Sequence, residues 1–427
     1  MSMRYVSTRG GAAPVGLSGA IAAGLAPDGG LYVPETMPRI GLPPLDGYLS
    51  GTAQRMLEPF FEGDPLADDL PAICAEAFAF PAPRRELRIE GAHLLELFHG
   101  PTAAFKDFGA RFLAACLTRL RRDTARPLTI LVATSGDTGA AVGAAFHGLP
   151  GVRVAILYPD NRVSPRQAHQ LGSFGGNVRA LRVEGSFDDC QRLVKEALGD
   201  TALQADVPMS SANSISLGRL LPQMAYFGHA SLHAGERMNT IVPTGNLGNA
   251  VACLWAREIG LPIGEVSFAC NANETLPEFF AGRPYRARDA IPTIANAMDV
   301  GAPSNFERLR HLFGDDAATR LNGHAESVDD AAIRDTIHRH AASDGEVFCP
   351  HTATGIRVFE RKRLAGDRSG WTIAATAHPA KFDTIVEPLI GRRVEVPAAL
   401  AAMLARDASA EPMAVDGRVF ADWLRGW

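Results

Sequence analysis

Only four of the 42 basic residues are lysines: Lys106, Lys195, Lys362 and Lys381. Arginine serves wherever a cation alone is needed, so each remaining lysine is a candidate for chemistry that arginine cannot do. A guanidinium keeps its proton at any workable pH, whereas a desolvated lysine amine can lose one and attack a carbonyl. Local context separates the four. Lys195 lies in the amphipathic run CQRLVKEAL and reads as part of a solvated helix face, while Lys362, in Glu360-Arg361-Lys362-Arg363, reads as a surface charge cluster. Lys381, in TAHPAKFD, follows an expected strand end and stays ambiguous. Lys106 lies in FHGPTAAFKDFGARF, where Phe105, Phe108 and Phe112 fall at i, i+3 and i+7 and form one buried helical stripe, with Thr102 as its N-cap. Desolvation beside that stripe and the dipole at the helix start both disfavour the charged amine and lower its pKa. Such an amine suits an aldehyde cofactor held as a Schiff base; the alternative is a lysine snorkelling from a core helix.

Two glycine loops supply a second kind of chemistry. Thr134-Ser135-Gly136-Asp137-Thr138-Gly139 follows LTILVA, and Pro243-Thr244-Gly245-Asn246-Leu247-Gly248-Asn249 follows TIV. Glycines let backbone amides approach an anion closely, and a helix that starts there adds its partial positive charge. Either loop could hold a phosphate; the alternative for each is a tight strand-to-helix connection. Neither is GxGxxG and neither ends in GK[ST], which weakens nucleotide readings.

These loops need strands to carry them. Leu128–Val132, Val152–Tyr158, Val178–Val183, Thr240–Val242 and Trp371–Ala377 read as strands, with helix-like Ala140–His147 and Phe187–Leu198 between them. Gly148 supplies a helix stop. That alternation implies an α/β fold of parallel βαβ units with helices on both sheet faces. Ligands of such folds bind at the carboxyl ends of strands, where both glycine loops stand. Residues 1–92 are rich in Pro and Gly and read as a small N-terminal domain, followed by a first α/β domain over 93–235 and a second over 236–427.

The chain has 427 residues and a formal net charge of −5, so it has no global basic footprint and nucleic acid is not the expected partner. The six cysteines show no CxxC or zinc-like spacing and read as reduced buried residues of a cytoplasmic protein. His338-x-His340 has no convincing set of metal partners, and no metal is expected. No run of about 18 apolar residues suggests a membrane span. The opening MSMRYVSTRGGAAP lacks the apolar core of a secretory signal and reads as the start of the chain.

FHGPTAAFKDFGARF closely resembles the lysine segment of the threonine synthase family. The similarity continues, in the family's order, through GLAPDGGLYVPE, ATSGDTGAA, SANSIS, VPTGNLGN, MDVGAPSNFERL, PHTATG and ATAHPAKF. The resemblance implies a fold-type-II pyridoxal-phosphate enzyme with two open twisted, mostly parallel sheets, flanking helices and a small N-terminal domain. It implies conversion of O-phospho-L-homoserine and water to L-threonine and phosphate. With no targeting segment visible the cytoplasm is the expected compartment, and a monomer or homodimer is expected. Carried over residue by residue, Lys106 would hold pyridoxal 5′-phosphate covalently, and Gly245, Asn246, Leu247, Gly248 and Asn249 would hold its phosphate. Thr376 would bond the pyridine nitrogen, and Asp137 would stand beside the 3′ oxygen, where related enzymes carry Asn. Substrate donors would come from Ser135, Thr138, Asn213, Ser214 and Arg219; for Arg219 the alternative is a surface helix residue. His99, His351 and His378 are candidate neighbours of the site or structural histidines. Two positions depart from the family: Ser216 stands where Asn is commoner, and Cys349 where Asp is commoner. The first is expected to touch substrate contacts, the second only a loop.

The rival within the fold is a phospholyase or Ser/Thr dehydratase, which eliminates without adding water. The rival outside it is a non-catalytic small-phosphate binding protein that uses the same two loops.

Overall fold

The run Leu128–Ala133 is buried at every position, as a strand must be when helices cover both faces of a parallel sheet. In the computed structural model, which describes residues 2–42, 47–121, 126–160, 163–314, 316–321 and 324–427, it is an interior strand of a five-stranded parallel sheet. The strand order there is Glu411–Met413, Val178–Val183, Val152–Pro159, Leu128–Ala133, Met209–Ser211. A six-stranded sheet runs Ala325–Ser327, Ile263–Cys270, Met238–Pro243, Trp371–Ala375, Ala92–Glu96, Arg84–Glu86. All its pairs are parallel except the last. The expected architecture of two mostly parallel sheets is therefore present.

Sheet membership interleaves the segments expected at 93–235 and 236–427. Ala92–Glu96 pairs with Trp371–Ala375 in the larger sheet. Glu411–Met413 returns to pair with Val178–Val183 in the smaller one. Apolar burial drives that return: Met413, Phe420 and Leu424 share a cluster with Leu181, Val183 and Leu193.

One register positions the chemistry. Ala375 lies opposite Glu96 and Ile373 opposite Ile241, so three neighbouring parallel strands end at one edge. From that edge emerge the chain leading to Lys106, the Thr376–His378 segment and the loop after Pro243. The N-terminal segment supports the lysine helix, Lys106–Leu120. Its Tyr5, Ile21, Met56 and Phe61 share a core with Phe108 and Phe112, and the Phe61 ring meets Phe112 edge-on with centroids 6.1 Å apart.

Three local expectations change. Thr102 does not cap the helix: the N-cap position is Phe105, and the Thr102 hydroxyl donates instead to Asp107 at 2.7 Å. Lys362 is not a free surface charge, because it pairs with Glu265 at 3.0 Å and lies 4.2 Å from the centre of the Trp371 ring. Its aliphatic stem covers the indole while the ammonium reaches a carboxylate. Cys349 is more than a loop residue: it is the N-cap of Pro350–Leu364, and its sulfur accepts from the Thr352 amide at 3.4 Å. Lys195 is exposed, as expected. All six cysteines are free and buried. Among the described residues no helix is long and apolar enough to cross a membrane.

Candidate active site

The backbone just before Lys106 is pinned to the strand end that carries Thr376. Phe105 donates its amide to the Thr376 carbonyl at 2.9 Å, and His378 donates to the Ala103 carbonyl at 3.0 Å. Ala103 is held at φ +55°, a left-handed conformation that costs a non-glycine residue about 1–2 kcal/mol. The flanking bonds hold it there, and Lys106 leaves the turn as the first residue of its helix.

Burial drives the Lys106 amine down to about 8; nearby Asp137 opposes that shift, while Arg219 and Lys381 add to it. Such an amine is partly deprotonated near neutral pH and suited to carbonyl chemistry. Asp107, the next residue, accepts both the amide and the hydroxyl of Thr102, at 2.9 and 2.7 Å. Burial raises its carboxyl to about 6 against those bonds.

Asp137 begins the helix that follows the first glycine loop. In that loop the Thr134 hydroxyl accepts the amides of Gly136 and Gly139, each at 3.0 Å, so those two donors serve the turn. Ser135 and Thr138 are half-buried beside them. Burial alone would raise the Asp137 carboxyl, but Lys381, Lys106 and His351 together hold it well below the usual carboxylate range. It is therefore an anion. Lys381 stands 2.9 Å from its Oδ1, and Gln167 donates to the same oxygen at 3.2 Å. His351 is driven down to about 4 by burial first, and its Nε2 accepts the Ala297 amide at 3.1 Å, which fixes a neutral ring with the proton on Nδ1.

The second glycine loop leads into the helix Gly248–Glu258, with Leu247 at its N-cap position at φ +62°. Gly245 is required by contact: a Cβ there would lie 2.7 Å from the Met298 Cα. Asn246 locks the loop, since its side chain donates to the Ser214 hydroxyl at 2.6 Å and accepts the Ser304 amide. Asn249 accepts from the Tyr226 hydroxyl, and its own amide nitrogen is buried without a partner among the described residues.

Arg219 is a core residue, 2% exposed, which removes the surface-helix alternative. One nitrogen donates to the Ala212 carbonyl, while its Nε is buried without a partner among the described residues, as is the Asn213 Oδ1. Burial lowers its pKa to about 10, with Asp107 and Tyr226 opposing. The Ser216 hydroxyl is likewise buried without a partner among the described residues. Ser214 is committed to Asn246. His99 pairs with Glu96 at 2.8 Å, and His378 accepts the Ala380 amide at 3.2 Å; both hold local structure. His340, of the His338-x-His340 pair, lies between Asp344 and Glu360.

Several residues that sequence reasoning passed over hold this arrangement. Gln167 looks like the third residue of an ordinary capping box and serves as one for Ser164, yet its amide reaches Asp137. Arg308 is fully buried and donates to the carbonyls of Tyr32 and Ile215 and to the Asn305 side chain. Burial lowers its pKa to about 9. It joins the N-terminal segment to Asn305, which donates to the Asn246 carbonyl at 3.0 Å. The run MDVGAPSNFERL was the visible signal for both.

A pyridoxal phosphate fits these residues. They offer a lysine amine of lowered pKa, a glycine loop at a helix start, and buried donors without partners at Asn249 and Arg219. Three cations (Lys106, Lys381, Arg219) face two carboxylates (Asp107, Asp137), an excess positive charge suited to phosphate-bearing ligands.

The comparisons agree with that chemistry. Residues 80–377 match the family described as "Pyridoxal-phosphate dependent enzyme", residues 4–78 "Threonine synthase N terminus" and residues 352–419 "Threonine synthase, C-terminal". The chain is 38% identical over 392 residues to the threonine synthase of Haemophilus influenzae, covering 90% of this chain and 91% of that one. It superposes on the pyridoxal-phosphate-bound threonine synthase of Brucella melitensis with a TM-score of 0.91 and 33% identity, covering 100% and 99% of the two chains. The Escherichia coli threonine synthase structure gives a TM-score of 0.90 at 34% identity, covering 99% of this chain and 100% of that one. The chain therefore belongs to the threonine synthase family of pyridoxal-phosphate-dependent lyases.

Proposed function

We propose that the chain converts O-phospho-L-homoserine and water to L-threonine and phosphate, with Lys106 as the residue that both carries the cofactor and moves protons. The observation that carries this reading is the lysine amine lowered to about 8 at an edge where three parallel strands end, with a glycine loop on one of them. The bound cofactor supplies an electron sink for charge that develops at the substrate's Cα and Cβ.

The chain's own groups do the rest. Gly245–Asn249 would hold the cofactor phosphate with their amides and with the Asn249 side-chain nitrogen, which has no partner among the described residues. Thr376 would offer a neutral hydroxyl to the pyridine nitrogen and so leave it largely unprotonated. The Asp137 anion would stand beside the 3′ oxygen. The Lys106 amine would take one proton from the substrate's Cα and one from Cβ. Phosphate would leave Cγ with its bonding electron pair, one proton would be returned to Cγ to make the methyl group and one to Cα, and water would add its hydroxyl at Cβ while its proton goes to the released phosphate. A positioned base of this kind is worth about 10²–10⁴-fold per transfer. The unpaired Arg219 Nε, with Asn213, Ser135 and Thr138, serves the substrate's phosphate and carboxylate.

The phospholyase or dehydratase reading differs only in whether water is added. Incubation with O-phospho-L-homoserine tests it: threonine and phosphate in equal amounts support the proposal, and 2-oxobutyrate as main product overturns it. The non-catalytic reading falls with membership of an enzyme family. We further propose that the protein works in the cytoplasm as a monomer or homodimer, independently of nucleic acid.

A further inference from the structure

Lys381 ties three pieces of the site together. It stands on the short turn Pro379–Phe382 that follows Thr376, its side chain is fully buried, and its ammonium has two partners. One is Asp137 Oδ1 at 2.9 Å, from the first glycine loop; the other is the Thr102 carbonyl at 2.6 Å, from the segment leading to Lys106. His378 caps the turn and Arg166 donates to its Ala380 carbonyl, so the ammonium is held in place.

Asp137 thus has two lysines facing it. A buried carboxylate takes the nearest available cation, because an unpaired buried charge is costly. Without Lys381 that cation would be Lys106, and the amine would be held as an ammonium in a closed ion pair. We infer that Lys381 is a positioning residue: it occupies the Asp137 carboxylate, and by doing so leaves the Lys106 amine free for carbonyl exchange and proton transfer. The groups facing this pair are Gln167, which donates to Asp137; neutral His351; and Arg219, whose charge opposes protonation of Lys106. Asp107 is engaged by Thr102. None of these replaces Lys381 on Asp137 Oδ1 as a cation. The inference rests on Lys106 being the cofactor's attachment point.

The test is the pH dependence of acetic anhydride labelling of Lys106 in the full chain freed of cofactor, read by peptide mass spectrometry. Wild type should titrate near 8. Lys381→Met should move the midpoint up by about one pH unit, and Lys381→Arg, which keeps the charge, should leave it in place. Asp137→Asn should move it down, and because Lys381 acts through Asp137, the double variant D137N/K381M should titrate close to D137N. Where K381M fails to fold, Lys381→Gln reads the same upward shift. A folded K381M with the wild-type midpoint overturns the inference, as does a D137N/K381M midpoint that lies as far above D137N as K381M lies above wild type, which would mean that Lys381 acts on Lys106 without Asp137. Borohydride reduction of the loaded protein checks the underlying reading separately: cofactor trapped on a residue other than Lys106 refutes that reading, whatever the titrations show.

Discussion

The amide of Phe105 donates to the carbonyl of Thr376 at 2.9 Å, so the residue before the reactive amine is bonded to the residue assigned to the cofactor's ring nitrogen. A single backbone hydrogen bond thereby links the two residues proposed to hold opposite ends of the cofactor ring. Schiff-base chemistry tolerates little misplacement; about 1 Å can cost 10²-fold.

Lys106→Arg keeps the charge and approximate length but has no amine that can lose its proton. Activity should fall by about 10⁴-fold or more, because one residue both attaches the cofactor and moves protons. Borohydride should then trap no cofactor on the chain by mass spectrometry, while the fold stays intact by circular dichroism. Retained covalent cofactor in this variant would refute the assignment.

Gly245 and Gly248 separate steric need from loop composition. A Cβ at Gly245 meets the Met298 backbone at 2.7 Å, whereas at Gly248 the nearest atom is the Asn305 side-chain nitrogen at 3.5 Å. Gly245→Ala should lower unfolding stability by about 1–3 kcal/mol through overpacking. Gly248→Ala should leave the stability of the cofactor-free chain close to wild type. Equal unfolding midpoints for the two variants in denaturant would contradict the contact.

Legibility in the sequence followed physical range. LTILVA, VRVAILYP and VRALRV are long apolar runs whose burial is encoded locally, and they appear as strands close to their expected limits. Met209–Ser211, Ala325–Ser327 and Glu411–Met413 are three residues each and exist as strands only through distant partners. The same holds within the site. Lys106 was marked by its own neighbours, but Lys381 has an unremarkable local context and acquires meaning from Thr102 and Asp137, both more than 200 positions away. Thr102 misled for the converse reason: its hydroxyl donates to the nearby Asp107 carboxylate instead of accepting a helix amide.

Arg219 carries a prediction about substrate. Its guanidinium is buried with an unpaired Nε, close enough to Lys106 to disfavour its charge. Arg219→Lys keeps the charge but loses the planar fork. Loss of one charge-assisted bond, about 1.5–3 kcal/mol, should lower kcat/KM for O-phospho-L-homoserine by about 10- to 100-fold. Cofactor content, read by absorbance, should not change. A wild-type kcat/KM would remove Arg219 from substrate binding.

The last prediction concerns His340, which joins the helix Asp330–Ser343 to the helix Pro350–Leu364. Its Nδ1 lies 2.6 Å from Asp344 and its Nε2 2.8 Å from Glu360. Burial pushes its pKa down, but hydrogen bonds and charge from Glu360 and Asp344 push harder, and the net shift is upward. Glu360 is correspondingly held down to about 2: burial would raise it, but His340, Arg339 and Arg357 outweigh that. A histidine whose folded pKa exceeds its unfolded value near 6.5 stabilises the fold fully below that value. That contribution is lost as pH rises through the folded pKa. His340→Gln removes the imidazolium, so the difference in melting temperature between wild type and variant should be largest near pH 6. It should shrink as pH rises towards 9 through the folded pKa, where wild type loses the charge as well. A difference that stays constant across that range would mean that His340 contributes through packing against Phe348, 5.7 Å between ring centres, and not through its proton.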